Sequence, residues 1–107
     1  MAPEVANGKQ YTKSVDIWAM GIIMHLVLTN GKHPFFKNGI DTYDSYKRKL
    51  QTIKKVEADP SLSNIAANLF SRLTTPHASQ RYSAKDALKH PWITRQLNES
   101  IPLSFID

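Results

Sequence analysis

The chain has 107 residues, no cysteine, and a formal charge of +5 from 14 basic and 9 acidic side chains. Its length predicts one domain with a small core, and the lack of cysteine excludes disulfides and thiolate metal sites. No apolar run reaches the roughly 20 residues that span a bilayer, and the N-terminus does not resemble a signal peptide. We therefore expect an intracellular, cytoplasmic protein. The moderate basic charge suits many acidic partners and identifies none.

Residues 15–29 form the strongest predicted element, a helix with almost no polar face. A helix that is apolar on every side is normally buried on every side. Ser14 is its expected N-cap, and Asn30–Gly31 is its expected end. A membrane helix is the alternative, but about fifteen residues that include Asp16 and His25 argue against it.

Two amphipathic helices are predicted to follow. The first covers about residues 41–56, with one apolar stripe from Tyr43 to Ile53 and a cluster of lysine and arginine. The next covers about residues 64–73, with Ser63 as its N-cap. Both helices have one face to bury and one face for solvent.

A short fourth helix is predicted to begin at Ser83, with Asp86 completing a capping box. Pro91 is expected to end it. Residues 94–107 resemble a tail whose apolar side chains could dock on the domain, namely Ile101, Leu103, Phe105 and Ile106. Three modest helices can cover only part of the apolar first helix, so the chain needs further sequence, a second copy or a partner.

Four strings now identify a family resemblance: Ala2-Pro3-Glu4, D-I-W-A-M-G over 16–21, Arg81, and A-L-K-H-P-W-I over 87–93. In this order and spacing they resemble the C-terminal part of a eukaryotic protein kinase domain, over residues 1–93. The 28–35 turn and the H-P-W-I end are similar to serine/threonine kinases of the calcium/calmodulin-dependent group. The resemblance implies an all-α fold, the C-terminal part of the large lobe, with about four helices around one buried central helix and no sheet.

The resemblance also implies roles for individual residues. Glu4 and Arg81 would form a buried structural ion pair, and Asp16 would anchor the catalytic loop of a complete kinase. A carboxylate at a helix N-terminus is also a simple dipole partner, and for the isolated chain we favour that role. Three further residues are expected to pack in the core: Trp18, Gly21 and Trp92.

The second predicted helix matches a region that docks substrates or regulators in some kinases. The candidate docking surface consists of Tyr46, Lys47, Lys49 and Leu50. The alternative is a solvated basic face, which is the commoner role of such a charge run.

The strings that perform phosphoryl transfer are absent from these 107 residues: there is no G-x-G-x-x-G, V-A-I-K, H-R-D or D-F-G. We assign no catalytic, cofactor-binding or metal-binding residue, and we expect the chain alone to be inactive. A complete kinase of this family would use ATP and Mg²⁺ to phosphorylate protein serine or threonine.

The alternative function is a non-catalytic, kinase-derived scaffold for protein interaction. Expected partners are the missing N-terminal part of the kinase domain, a protein substrate or regulator, and a second copy bound through exposed apolar surface. Nucleic acid is not expected, because the loop between the third and fourth helices is too long for a helix-turn-helix. A membrane is not expected either, and the four histidines lack metal-ligand spacing.

Overall fold

A computed structural model describes residues 1–10 and 12–99 of the chain. The described residues form α-helices and a short 3₁₀ turn at Ala78–Gln80, with no strand among them. This confirms the all-α prediction. The helices are α1 (Pro3–Ala6), α2 (Lys13–Leu28), α3 (Tyr43–Thr52), α4 (Asn64–Leu73), α5 (Ala84–Leu88) and α6 (Pro91–Glu99). Over the same residues, none of the helices combines the length and apolarity that crossing a membrane requires.

The predicted caps of α4 and α5 are confirmed. The Ser63 hydroxyl accepts a hydrogen bond from the Ala66 N–H at 3.2 Å. Ser83 and Asp86 form the reciprocal capping box, with both bonds at 3.1 Å. These short polar side chains satisfy N–H groups that the first helical turn leaves without partners.

α3 is shorter than the sequence predicts, because it ends at Thr52 and not near residue 56. Ile53 takes an extended conformation, and the chain stays irregular up to α4. This extended course brings Val56 into the main core, where its side chain is 6% exposed. Burial of Val56 thus accompanies the early end of the helix.

The start of α2 differs from the prediction as well. Thr12 is the N-cap residue, without a side-chain capping bond, and Ser14 lies inside the helix. The predicted end is confirmed: Asn30 and Gly31 have positive φ angles of 59° and 96°, and the Gly31 N–H donates to the Leu26 carbonyl at 2.7 Å. Positive φ at these two residues turns the chain away from the helix axis.

Pro91 begins α6, where the sequence predicted the end of helical structure. Proline suits the first turn of a helix because its missing N–H would have no partner there. The preceding His90 stabilises the start of α6, because its Nδ1 accepts a hydrogen bond from the Trp92 N–H at 3.1 Å. Residues 94–99 are therefore helical, and the apolar side chains expected in the tail (Ile101, Leu103, Phe105 and Ile106) lie outside the described residues.

α2 is the centre of the described fold. One side of it packs on α4, while α1 packs on α3 and α6 packs on α4. Trp18 is buried in the main core. The other buried residues of this core come from all four of the first helices, from the N-cap of α1 and from the segment after α3: Ala2, Ala6, Val15, Leu50, Val56 and Phe70. A second cluster joins Ile17 to Leu69 and Leu73.

The opposite side of α2 is exposed, so the expectation of burial on every side is wrong. Met20 and Ile23 are each 58% exposed and Val27 is 73% exposed. Their spacing of three and four residues places them on one stripe of the helix. The physical reason is the predicted shortage of neighbours: the other described helices cover one side of α2 and leave the other bare.

Candidate functional site

The site that the sequence proposed brings together two residues separated by 77 positions. Arg81 Nη1 donates to Glu4 Oε2 at 2.8 Å, and Nη2 donates to Glu4 Oε1 at 2.9 Å. The Arg81 side chain is fully buried and that of Glu4 is 9% exposed. Two parallel bonds of this kind form the strongest common geometry between arginine and a carboxylate.

The remaining donors of Arg81 are satisfied by main-chain carbonyls. Nε donates to Thr75 at 2.9 Å, Nη1 donates to Ser14 at 2.9 Å, and Nη2 donates to Pro76 at 3.2 Å. All five N–H groups of the guanidinium therefore have an acceptor. One buried side chain thus connects α1, the first turn of α2, and the loop after α4.

The electrostatics of Glu4 agree with this geometry. Burial by itself would raise the pKa of Glu4, but the hydrogen bonds and the positive charge of Arg81 outweigh burial, so the pKa is lowered. The carboxylate therefore stays ionised at neutral pH, as a paired buried charge should.

Trp18 packs against the Arg81 guanidinium of this site. Its ring lies 5.2 Å from the Arg81 guanidinium carbon, within the range of a cation–π contact. The side chain is 1% exposed, which agrees with its predicted core role. Its indole N–H has no acceptor among the described residues, and such a buried unpaired donor normally costs stability.

Gly21 of α2 lies close to the C-terminal end of α4. A Cβ atom at this position would be 2.5 Å from Thr74 Cγ2 and 3.0 Å from Leu73 Cβ. Only glycine fits that distance without movement of a neighbour. This is the close backbone approach that the sequence predicted.

The other proposed core and anchor residues lie at two different places. Asp16 is exposed in the first turn of α2, on the helix that carries Trp18. Trp92 is partly buried against the second cluster, near α4.

The candidate docking surface on α3 needs correction. Leu50 is 1% exposed and belongs to the main core, because α3 turns this side chain toward α1. Tyr46 is half-buried against Phe35, with parallel rings 5.4 Å apart. Lys49 donates to Asp41 at 2.7 Å and to the Phe35 carbonyl at 3.1 Å. Of the four residues, Lys47 alone has no such contact in the described part of the chain.

Sequence reasoning missed the structural role of His25. Its ring is 1% exposed, with Nδ1 2.7 Å from the Lys32 carbonyl and Nε2 accepting the Asp59 N–H at 3.0 Å. Nδ1 therefore carries the proton of the neutral ring. This histidine joins the loop after α2 to the segment before α4. The only sign of this role in the sequence is that His25 is a polar residue within an otherwise apolar helix.

The contacts of the assembled site hold distant parts of the fold together. Within residues 1–10 and 12–99, no three His, Asp or Glu side chains are grouped to hold a metal ion. In the Glu4–Arg81 site, every N–H group of the guanidinium is paired within the protein. The site is a structural connection between distant parts of the chain.

We next compared the chain with known protein families and with curated proteins. The family model for the protein kinase domain matches residues 1–93. The chain belongs to the protein kinase domain family.

Among individual relatives, serine/threonine-protein kinase H1 of Homo sapiens is 39% identical over 94 residues, which cover 87% of this chain and 22% of that protein. The serine/threonine-protein kinase H1 homolog of Danio rerio is 37% identical over 95 residues, covering 87% and 22%. The calcium/calmodulin-dependent protein kinase type II alpha chain of Drosophila melanogaster is 35% identical over 97 residues, covering 90% and 18%. The chain thus spans about a fifth of the length of these curated relatives, and the third is by name a kinase of the calcium/calmodulin-dependent group that the sequence suggested.

Proposed function

We propose that this chain is part of a serine/threonine protein kinase whose complete form transfers the γ-phosphoryl group of ATP, with Mg²⁺, to serine or threonine of a protein. The observation that carries this proposal is the buried bidentate Glu4–Arg81 pair, placed where the family resemblance implies it. The relatives' names support the choice of serine and threonine.

In this function the chain supplies architecture and not reacting groups. The Arg81 guanidinium holds α1 against the start of α2 and the loop that follows α4. The strings that bind nucleotide and transfer phosphate are absent from the 107 residues. We infer that these residues alone do not catalyse phosphoryl transfer.

The exposed side of α2 indicates where the rest of a kinase domain would pack. Met20, Ile23 and Val27 form an apolar stripe that the described helices leave uncovered. Asp16 lies in the first turn of the same helix, where the family resemblance implies an anchor for the catalytic loop. The missing N-terminal part of the domain is therefore the partner that we propose for this stripe.

A scaffold without catalysis is the second candidate function. The same uncovered stripe favours it, because an apolar patch on a helix can bind a separate protein or a second copy. The two candidates differ in whether an active kinase can be assembled around this chain. The intracellular, cytoplasmic location stays a prediction from the sequence.

A chimaera tests the kinase proposal. The corresponding segment of a related serine/threonine kinase is replaced by residues 1–93, and transfer of labelled phosphate to a protein substrate is measured. We expect an active chimaera, because the segment supplies the same structural connections. The matched control carries Arg81→Ala, which should lower both the melting midpoint and the activity. A chimaera that folds and binds Mg·ATP but transfers no phosphate would contradict the proposal.

A thermal melt of the 107-residue chain tests its inactivity. A ligand that binds only the folded state raises the melting midpoint. We expect no shift on addition of Mg·ATP, because no nucleotide-binding string is present. A saturable increase would show a nucleotide site in this chain and would overturn the inference.

A further inference from the structure

A basic cleft lies between the end of α4 and the extended segment that follows α3. Its volume is about 230 Å³, and three cationic residues line it: Lys54, Lys55 and Arg72. No carboxylate of the described residues is part of its lining. A concave surface that carries one sign of charge concentrates ions of the opposite sign. The cleft therefore favours an anion.

The charges of this cleft are hardly neutralised within the protein. Lys55 lies 3.7 Å from Glu57, but both side chains are nearly four-fifths exposed, so this pair is weak. Lys54 and Arg72 form no salt bridge in the described part of the chain. All three cations have exposed side chains and remain accessible to a ligand.

Some hydrogen-bond donors around the cleft are already used within the protein, and others are not. The hydroxyls of Ser71 and Thr75 already donate to main-chain carbonyls, at 2.8 and 3.0 Å. By contrast, the main-chain N–H groups of residues 54–56 donate to no protein acceptor among the described residues. The side-chain donors of the lining that remain for a ligand are the two ammonium groups and the guanidinium fork.

Arg72 has a competing role that needs no ligand. It lies in the last turn of α4, where a cation offsets the partial negative charge of the helix C-terminus. That role requires one cation near the helix end. It does not explain why Lys54 and Lys55 line the same cleft from a segment that is not helical.

We propose that this cleft binds a phosphate group, presented either by a phosphorylated serine or threonine of a partner protein or by free phosphate. A phosphate monoester carries nearly two negative charges and three acceptor oxygens. The planar guanidinium pairs with two of those oxygens, and ammonium groups supply point charges for the remainder. This inference does not depend on kinase activity of the chain.

The test is a titration of the full chain with inorganic phosphate at constant ionic strength, followed by the melting midpoint and by main-chain amide chemical shifts. We expect a saturable rise of the midpoint, with shift changes centred on residues 54–56 and Arg72. A phosphoserine peptide and its unphosphorylated form are compared in parallel. Tighter binding of the phosphopeptide than of free phosphate identifies a protein-borne source, and the reverse identifies a free anion.

Two double variants complete the experiment. Lys54→Ala with Arg72→Ala should abolish the saturable response. Lys13→Ala with Lys85→Ala removes the same charge from exposed positions elsewhere and should leave the response unchanged. A response that does not saturate, or one of equal size in both double variants, overturns the proposal. The proposal is also overturned if the Lys54→Ala, Arg72→Ala variant melts at a lower temperature without phosphate but still shows the full phosphate-dependent rise of the midpoint. That result is expected if Arg72 only stabilises the end of α4.

Discussion

At the scale of single residues, the buried Arg81 guanidinium is expected to contribute strongly to stability, because its side chain is fully buried and paired with Glu4. Removal of one partner from a buried ion pair leaves an uncompensated charge and costs about 3–5 kcal/mol. We therefore expect Arg81→Ala and Glu4→Ala each to lower the free energy of unfolding by about that amount, measured by urea denaturation. Small domains are stable by only about 5–15 kcal/mol in total, so the loss is severe.

A double-mutant cycle completes this prediction. The Glu4→Ala and Arg81→Ala effects should not add, because each single variant already breaks the same pair. Arg81→Lys should also destabilise, since an ammonium group cannot reproduce the five-donor fork. Lys55→Ala breaks an ion pair with Glu57 in which both side chains are nearly four-fifths exposed, so it is the control and should cost much less. Additive effects in the cycle would show that Glu4 and Arg81 do not interact.

A second residue-scale prediction concerns pH and His33. Its Nδ1 accepts hydrogen bonds from the N–H groups of Phe35 and Phe36, at 3.2 and 3.0 Å, so the fold needs this nitrogen unprotonated. Burial lowers the pKa of His33 below its usual 6.5. The unfolded chain therefore binds the proton more readily than the folded chain. Stability should be complete above about pH 6.5 and should fall as the pH drops from there toward the lower folded-state pKa.

Melting midpoints between pH 7.5 and 5 check this prediction. His33→Asn keeps a side-chain acceptor but does not titrate, so its midpoint should fall less steeply with acid. Burial also lowers the pKa of His90, so part of the slope should persist in this variant. His77→Asn changes an exposed ring and is the matched control. An unchanged slope in His33→Asn would contradict the role of His33.

At the scale of elements, the contact between α2 and α4 depends on Gly21. Gly21→Ala would place a methyl group 2.5 Å from Thr74 Cγ2. Thr74 cannot easily move, because it is buried and its hydroxyl is bonded to the Phe70 carbonyl at 2.7 Å. Overpacking of this kind costs about 1–3 kcal/mol, against up to about 1 kcal/mol gained from the helix preference of alanine. We expect a net loss of unfolding free energy.

The second-site variant Thr74→Ser tests the cause of that loss. It removes Cγ2 and keeps the hydroxyl, so it should recover part of the stability when it is combined with Gly21→Ala. The measurement is urea denaturation of both single variants and the double variant. A Gly21→Ala variant as stable as the parent chain would show that α2 and α4 are not in close contact.

At the scale of the whole molecule, the uncovered stripe of α2 should govern association and not stability. Ile23→Gln changes a side chain that is 58% exposed, so unfolding free energy should change by less than about 0.5 kcal/mol. Self-association, followed by sedimentation, should decrease. Ile17→Gln changes a buried residue on the same helix and should destabilise the chain strongly. Equal destabilisation by both variants would show that Ile23 is buried.

The sequence by itself determined the helical class, the extent of α4, the caps of α4 and α5, and the family. These features depend on local patterns: apolar spacing, Ser63 and Ser83 before their helices, and short strings in a fixed order. It also indicated that Glu4 and Arg81 would meet, but only through the family resemblance.

Tertiary structure decided everything that depends on contact between distant residues. Leu50 became core and not docking surface because α3 packs on α1. His25 became a link between two loops, which no spacing in the sequence signals. Likewise, the sequence predicted that part of α2 would lack neighbours, but an apolar residue looks the same in the sequence whether or not a neighbour covers it. Only the structure shows that the uncovered residues are Met20, Ile23 and Val27. The sequence shows whether a side chain is polar or apolar. Whether that side chain is buried depends on which other residues the fold places around it.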